Sequence, residues 1–317
     1  MLNKYFPHAS RLIYGCMGLG GKWDQNPVTQ AEIKQAQAII EKALGLGINV
    51  FDHADIYTFN KAETAFGKVL ADAPSLRDKM IIQSKCAIRF EDEKGPKRYD
   101  FSADWIQQSV EGSLSRLNIE CLDILLLHRP DPLMELEEVA DVLMSLIQAG
   151  KIKHVGVSNM HSQQIQFLQS ALNTPIVANQ LEMSLGFRDW VEDGITTGSV
   201  YNRDSGYAPG TLEYCMQHGV QLQAWGSLAQ GKYTGAATED EAANATAALV
   251  SKLAADYGVS KEAIVLGWLT RHPAGIQPVI GTTNLKRIEA SAQVKDLILE
   301  RGHWYALLET ARGQELP

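Results

Sequence analysis

The chain has 317 residues, of which 45% are hydrophobic, and it carries a formal net charge of −8. The acidic balance, without a block of Lys and Arg, argues against nucleic acid or an anionic membrane as a partner. The N-terminal MLNKYFPHAS lacks the apolar stretch of a signal peptide, no window suits a membrane span, and the four cysteines form no CxxC pair. We therefore expect a reduced, cytoplasmic protein without structural disulfides, zinc or another metal.

Short apolar runs recur along the whole chain. Each is rich in β-branched residues and ends in small or polar residues, which is typical of buried parallel strands. The eight runs are Arg11–Gly15, Ile48–Asp52, Met80–Ser84, Ile124–His128, His154–Ser158, Ile176–Gln180, Val220–Trp225 and Ile276–Gly281.

Helical patterns lie between these runs. Thr29 and Glu32 have the spacing of a capping box, and an apolar stripe follows them. Ser102 is placed to cap a second helix, and residues 137–149 form a third. Strand and helix thus alternate eight times, which predicts one (β/α)8 TIM barrel domain over residues 1–317.

A doubly wound nucleotide-binding sheet is the rival fold. It requires GxGxxG after the first strand, at the start of a helix. GCMGLGGKW comes close, but Trp23 stands where the third glycine is needed and no helix pattern opens there. The barrel is therefore favoured.

Two stretches are too long for tight connections. Residues 88–101 are strongly charged, and residues 185–209 contain Trp190, Tyr201 and Tyr207. Both follow the carboxyl ends of predicted strands, where barrel enzymes build their active sites. We expect them to wall the substrate site, together with residues 129–135 and the C-terminal tail, and expect the aromatic side chains to make the pocket partly apolar.

Polar side chains stand where the runs end. In a barrel these ends meet at one opening, so the side chains are expected to converge. They are Asp52, with Tyr57 shortly after it, and Lys85, His128, Ser158, Asn159, Asn179, Gln180 and Trp225.

This combination suits proton delivery to a carbonyl oxygen. Tyr ordinarily has a pKa near 10, and a neighbouring ammonium such as that of Lys85 makes the phenol a better acid. An aspartate can hold the lysine, and a histidine can orient a substrate oxygen. The matching hydride must come from a cofactor, because no side chain supplies one.

The chain resembles the aldo-keto reductases, which are NADP(H)-dependent (β/α)8 barrels. The motifs that carry the resemblance are GINVFDHADIY with AETAFG, IIQSK, DILLLHRPDP, KHVGVSNM, NQLE, AWGSLAQGKY and VIGTTNLKRI, in family order from end to end. The resemblance implies that Tyr57 is the general acid-base, that Asp52 and Lys85 tune it, and that His128 orients the carbonyl. Asp55, three residues beyond Asp52, is then expected only to cap a turn.

The resemblance also implies a cofactor site. Ser158, Asn159 and Gln180 match residues that bind the nicotinamide carboxamide, Trp225 matches the ring that stacks on nicotinamide, and Arg287 matches the arginine that meets the 2′-phosphate and favours NADP. The remaining positions assigned to cofactor binding are Cys16, Met17, Gly226, Ser227, Leu228, Gly231, Lys232, Gly281, Thr282 and Thr283. Departures from the family pattern include Gly281-Thr282, where many members have Lys-Ser, and Ala290-Ser291, where many have Glu-Asn.

The expected function is NADPH-dependent reduction of a small aldehyde or ketone, reversible in principle. Two alternatives remain open on the sequence: a lyase that uses Lys85 as a Schiff base, and a barrel that binds the cofactor in a regulatory role with little turnover. The sequence indicates neither the substrate nor the oligomeric state.

Overall fold

Eight parallel strands close into a barrel in the computed structural model, which describes residues 1–199, 206–236 and 238–317. The barrel order is β1, β2, β3, β6, β7, β8, β9 and β10, and β10 pairs with β1. The strands are β1 (Ile13–Gly15), β2 (Val50–Asp52), β3 (Ile81–Cys86), β4 (Ile88–Arg89), β5 (Arg98–Tyr99), β6 (Leu122–Leu127), β7 (Ile152–Ser158), β8 (Ile176–Glu182), β9 (Gln221–Trp225) and β10 (Gln277–Ile280). The predicted barrel and its eight strands are confirmed, and its closure excludes the doubly wound sheet.

Helices fill every connection between consecutive barrel strands. They are α1 (Gln30–Gly45), α2 (Lys61–Asp72), α3 (Ala103–Leu117), α4 (Leu136–Gln148), α5 (Ser162–Gln169), α6 (Asp189–Thr196), α7 (Thr211–His218), α8 (Glu241–Tyr257), α9 (Lys261–Thr270), α10 (Leu285–Ala292) and α11 (Arg301–Arg312). Two connections hold a pair of helices, α6 with α7 and α8 with α9, and α11 follows the barrel. None of the helices in the described ranges is both long and apolar enough to cross a membrane.

The start of α1 agrees with its sequence pattern. Thr29 Oγ1 accepts a hydrogen bond from Glu32 N at 3.4 Å, and Glu32 Oε2 accepts one from Thr29 N at 2.6 Å. The predicted capping box is therefore present.

The start of α3 does not agree with its pattern. Ser102 occupies the N-cap position, but its hydroxyl donates to Asp100 Oδ1 at 2.6 Å. Glu138 of α4 instead accepts from Ala103 N at 2.7 Å. The prediction that the Ser102 side chain caps this helix is wrong: its hydroxyl is directed to Asp100, and the first N–H group of the helix is bound by a carboxylate of the neighbouring helix.

The two long stretches differ in what they build. Residues 88–101 contain the β4–β5 hairpin, in which Arg89 forms ion pairs with Asp92 and Asp100. Residues 185–209 contain α6, whose Trp190 is buried against Trp268 of α9, with ring centroids 5.4 Å apart. Trp190 therefore belongs to the core rather than to a substrate wall, and Tyr201 lies outside the described residues.

The barrel interior changes character along its axis. Near the amino ends of the strands it is apolar, and Leu2 packs there against Ile124 and Val177. Nearer the carboxyl ends, Asp52 and Gln83 are inward neighbours in strand register and both are buried. Asp52 and Gln83 thus lie in the layer next to one opening of the barrel.

Candidate active site

A cavity of about 650 Å³ lies at the carboxyl-end opening of the barrel. We call it the reaction cavity. Most of the predicted catalytic and cofactor positions line it, namely Met17, Asp52, Tyr57, His128, Ser158, Asn159, Gln180, Trp225, Gly226, Ser227, Leu228, Gly231, Gly281, Thr282 and Arg287.

Three predicted catalytic residues form a continuous chain at the base of this cavity. Lys85 Nζ donates to Asp52 Oδ2 at 2.7 Å and to Tyr57 OH at 2.9 Å. It also donates to the backbone carbonyl of His53 at 3.0 Å. Strand β2 ends at Asp52 and strand β3 carries Lys85, so neighbouring strand ends bring the two charges together. All three ammonium protons are thereby engaged.

The hydrogen bonds from Lys85 to Asp52 and Tyr57 determine the protonation state of the lysine. Burial alone would lower the pKa of Lys85, but the Asp52 carboxylate and the Tyr57 oxygen together raise it above its usual value. The ammonium is therefore charged at neutral pH.

The pKa of Tyr57 moves against the sequence expectation. Burial raises it above 10, and the opposing attraction of Lys85 does not compensate for the burial. The expected increase in the acidity of Tyr57 is therefore wrong. The phenol is protonated at neutral pH and can give its proton to a stronger base.

His128 follows β6 and faces Tyr57, with ring centroids 6.0 Å apart. Burial lowers its pKa well below 6.5, and the positive charges of Lys85 and Arg129 add to the effect. The imidazole is therefore neutral. A neutral ring carries one N–H group, which can donate to a substrate oxygen without bringing another charge into the cavity.

Asn159 holds the aromatic wall of the cavity. Its Oδ1 accepts from Trp225 Nε1 at 3.2 Å, and its Nδ2 donates to Ser158 Oγ at 2.8 Å. The backbone of Asn159 has a φ of 58°, a left-handed conformation that Asn tolerates better than most residues. The Trp225 ring is thus held in one orientation, with its flat face available for stacking.

Gln180 makes its own contacts downwards, into the barrel. Its Nε2 donates to Asp52 Oδ1 at 3.0 Å and to Gln223 Oε1 at 3.1 Å. Both amide protons are therefore used within the protein. A ligand in the cavity can meet only the carbonyl end of this side chain.

The far end of the cavity is made by the loop after β9 and the start of α10. Gly226 and Gly231 have φ values of 67° and 88°, which glycine adopts without strain. Arg287 has 43% of its side chain exposed, contacts Glu262 at 3.4 Å and lies 3.5 Å from Thr234 Oγ1. Arg287 lines the cavity, and its Nη1 has no hydrogen-bond partner among the residues that the structure describes.

Three predicted cofactor positions do not line this cavity in the described part of the chain: Cys16, Lys232 and Thr283. Cys16 is fully buried, and burial raises the pKa of its thiol well above the usual value. Lys232 forms an exposed ion pair with Asp240 at 2.7 Å. A direct contact between Lys232 and a ligand would require this pair to open.

Three residues near the site were not singled out from the sequence. Gln83 and Gln223 donate and accept hydrogen bonds below Asp52. Their signal was a glutamine inside an apolar strand run, two positions before Lys85 and Trp225 respectively, which puts it on the same face of its strand. Arg129 follows His128 and lines the cavity, with its guanidinium 6.0 Å from the Trp225 ring.

Comparisons with known proteins agree with this geometry. A sequence model described as "Aldo/keto reductase family" matches residues 11–305. The chain is 37% identical to a 6-dehydroglucose reductase of Agrobacterium fabrum, covering 97% of this chain and 96% of the relative. It is 35% identical to the oxidoreductase YdhF of Escherichia coli, with 90% of each covered.

Solved structures show the same fold. The glycerol dehydrogenase AKR11B4 from Gluconobacter oxydans superposes with a TM-score of 0.79 at 24% identity, covering 96% of this chain and 92% of that one. An aldo-keto reductase from Klebsiella pneumoniae in complex with NADPH gives 0.71 at 21% identity, with 97% and 92% covered. The family match over nearly the whole chain and these relatives lead to one conclusion: this chain belongs to the aldo/keto reductase family.

Proposed function

We propose that this protein reduces aldehydes or ketones to alcohols with NADPH, and that Tyr57 supplies the proton. One observation carries the proposal: the chain from Asp52 through Lys85 to the Tyr57 hydroxyl, which borders the reaction cavity opposite His128. The family membership supports an oxidoreductase, and the geometry supports these residue roles.

The residues of the cavity fit an extended dinucleotide. Trp225 offers a ring face, Gln180 a carbonyl oxygen, and the Gly226–Gly231 loop a close backbone approach. Arg287 at the far end suits a phosphate, because a guanidinium donates two parallel hydrogen bonds to it. The chemistry that NADPH supplies when bound is a hydride for the carbonyl carbon.

The protein's own groups handle the oxygen atom. His128 donates a hydrogen bond that orients the carbonyl oxygen beside the Tyr57 hydroxyl. As negative charge develops on that oxygen, Tyr57 transfers its proton to it. Lys85 stabilises the resulting phenolate, and Asp52 keeps the lysine charged and in position.

The geometry disfavours a Schiff-base lyase. A lysine nucleophile must lose its proton, and a lowered pKa assists that loss. Lys85 has a raised pKa and a fully buried ammonium group with three acceptors around it. Such an amine is held in its unreactive form.

We further propose a hydroxylated aldehyde as the substrate. Two relatives, 37% and 35% identical, are named 6-dehydroglucose reductase. In this chain Arg129 lines the cavity beside His128, and none of its N–H groups is hydrogen-bonded to a residue of the described ranges. Its donors would meet oxygen atoms on the substrate carbon chain.

Titration with NADPH and NADH tests the cofactor assignment. Stacking on Trp225 should quench tryptophan emission, and NADPH should bind clearly more tightly than NADH. Arg287→Met should weaken NADPH binding by about 10- to 100-fold, because it removes hydrogen bonds to a charged group. NADH, which lacks the 2′-phosphate, is the internal control and should bind as before. If neither NADPH nor NADH binds, the hydride mechanism is refuted.

Paired substrates test the substrate proposal. Glyceraldehyde and propanal have the same number of carbon atoms, but only the first carries hydroxyl groups. We expect a higher kcat/KM for glyceraldehyde, and a roughly 10-fold fall of the glyceraldehyde-to-propanal ratio in Arg129→Met. An unchanged ratio would mean that Arg129 does not contact the substrate hydroxyls.

A further inference from the structure

Three buried carboxamides lie directly below the catalytic chain. They belong to Gln83 on β3, Gln180 on β8 and Gln223 on β9, and each residue is at most 2% exposed. We call them the glutamine cluster. The interior of such a barrel is usually filled by branched apolar side chains, so three amides at this level need an explanation.

Strand register places the cluster at the level of Asp52. Gln83 is the register partner of Asp52, and Gln180 is the register partner of Gln223. The cluster thus connects two sides of the barrel. On one side is the carboxylate that holds Lys85, and on the other is a residue that lines the reaction cavity.

The hydrogen bonds of the cluster are directional. Gln83 Nε2 donates to Asp52 Oδ1 at 2.6 Å, and Gln180 Nε2 donates to the same oxygen at 3.0 Å. Because an ionised carboxylate only accepts hydrogen bonds, the NH2 groups of both glutamines must face it. This requirement fixes which end of each amide points downwards.

Gln223 completes the arrangement. Its Oε1 accepts from Gln83 at 2.8 Å and from Gln180 at 3.1 Å, and its Nε2 donates back to Gln83 Oε1 at 2.9 Å. With both of its donors held below, Gln180 presents its carbonyl oxygen to the cavity. The same bonds leave Asp52 Oδ2 free for Lys85.

We propose that Gln83 and Gln223 are positioning residues that hold Asp52 and Gln180 in one network, so that the cofactor side of the cavity and the proton-donating chain share a single set of hydrogen bonds. This inference rests on the proposed reductase function. It adds a role for two residues that touch neither substrate nor cofactor.

The charged and titratable surroundings of Asp52 make a pH readout informative. Lys85 and Tyr57 face it from β3 and the loop after β2, and Cys16 faces it from the end of β1. The strands β8 and β9 contribute only neutral amides. A change confined to the cluster therefore alters the donors to the carboxylate without adding or removing a charge.

The first test replaces an amide by a side chain of similar length that cannot donate. Gln83→Met should lower kcat/KM by about 10- to 100-fold and should also weaken NADPH binding, because Gln223, one of the two acceptors that orient Gln180, loses both of its bonds to Gln83. The pH profile of kcat/KM should also change, because the chain of Asp52, Lys85 and Tyr57 loses a hydrogen-bond donor. Gln223→Met should change the same quantities in the same direction.

Gln221→Met is the matched control. Gln221 is also a buried glutamine of β9, but it bonds Gly275 O at 2.7 Å and Leu2 N at 3.1 Å, away from the reaction cavity. Its loss should lower the Tm by an amount similar to that of Gln83→Met while the pH profile stays in place. A shared loss of stability without a shared kinetic change separates positioning from folding.

Gln83→Glu provides a rescue. Two carboxyl groups at this distance cannot both ionise, so they share a proton at lower pH, and the protonated group can donate to its neighbour as the amide did. We expect activity relative to the wild type to recover as the pH falls, unlike that of Gln83→Met. This recovery requires the hydrogen bond and is not expected from a packing defect.

The outcomes decide separately on the two proposals. If the wild type shows no NADPH-dependent reduction, the proposed function fails. If the wild type is active and the Gln83 and Gln223 variants keep its pH profile and NADPH affinity, the positioning role is overturned and the reductase remains. If Gln83→Met does not fold, the profiles of Gln223→Met and Gln83→Glu decide the question by the same criteria.

Discussion

Two aspartates three residues apart in FDHADIY have opposite surroundings. Asp52 receives hydrogen bonds from Lys85, Gln83 and Gln180, so both of its carboxylate oxygens have partners. Asp55 is equally buried, yet its Oδ1 has no hydrogen-bond partner in the described ranges. It borders a second cavity of about 380 Å³, which Ile56 separates from the reaction cavity.

The difference shows what burial does to a carboxyl group with a charged donor and to one whose hydrogen bonds come only from neutral groups, the Ser109 side chain and the Ile56 backbone. Burial, followed by the neighbouring Glu63 carboxylate, raises the pKa of Asp55 to about 7. The N-cap residue of α2 is Asn60, and the Asp55 carboxyl group lies in the preceding turn, where it accepts a hydrogen bond from the backbone of Ile56. A turn-capping role for Asp55 stays a prediction. Asp52 ends a strand inside the barrel, whereas Asp55 lies beyond it, and the donors follow from that position.

The largest expected effect concerns Tyr57, which is linked to Asp52 through Lys85. Tyr57→Phe should reduce turnover by about 10²- to 10⁴-fold, because it removes the proposed proton donor but keeps the ring. NADPH binding should stay within about 3-fold, measured by fluorescence titration. Tyr257→Phe, which removes a hydroxyl that pairs with His303, is the control and should retain activity. A parallel loss of cofactor binding would mean that Tyr57 is structural.

Lys85→Met should strongly lower the free energy of unfolding, because it removes the ion partner of Asp52. It leaves a buried carboxylate without its ion partner, which costs about 3–5 kcal/mol. Lys42→Met, which removes an exposed pair with Glu289, should cost far less, because solvent screens that pair. Equal losses in the two variants, measured by denaturant unfolding, would contradict the comparison.

Asp55→Asn, in contrast, should raise the free energy of unfolding. A carboxyl group whose pKa rises from 3.8 to about 7 on folding destabilises the folded protein above pH 7, and the penalty disappears as the pH falls toward 4. The variant should therefore be more stable than the wild type at pH 8, by at most about 4 kcal/mol, with no gain at pH 4. Unfolding midpoints across this range measure it. A gain that does not depend on pH would show that Asp55 does not titrate as described.

The smallest expected effect concerns how the rates of carbonyl reduction and alcohol oxidation depend on pH. Because the pKa of Tyr57 lies above 10, its proton is present throughout the neutral range. Carbonyl reduction should then change by less than about 3-fold between pH 7 and 9, while alcohol oxidation, which needs the phenolate, should rise with pH. Initial rates with NADPH and NADP measure both. A reductive rate that falls steeply in this range would mean that the proton comes from a more acidic group.

Much of the fold could be predicted because it depends on local patterns. Apolar runs that end in polar residues marked all eight barrel strands, and the capping box at Thr29 marked the start of α1. At the start of α3, by contrast, the carboxylate that accepts from Ala103 N belongs to Glu138, which lies 35 residues further along the chain and comes close only after folding. A local pattern cannot register such a partner.

Within the candidate site, the sequence determined which side chains stand at the strand ends, and the closure of the barrel brings those ends together. Only the tertiary structure decided the pKa values and the hydrogen bonds of these side chains. The pKa of Tyr57 reflects burial acting against a lysine from another strand, and the glutamine cluster exists because β2, β3, β8 and β9 present four polar groups at one level. Burial and donor geometry are sums over residues distant in the chain, so no stretch of sequence contains them.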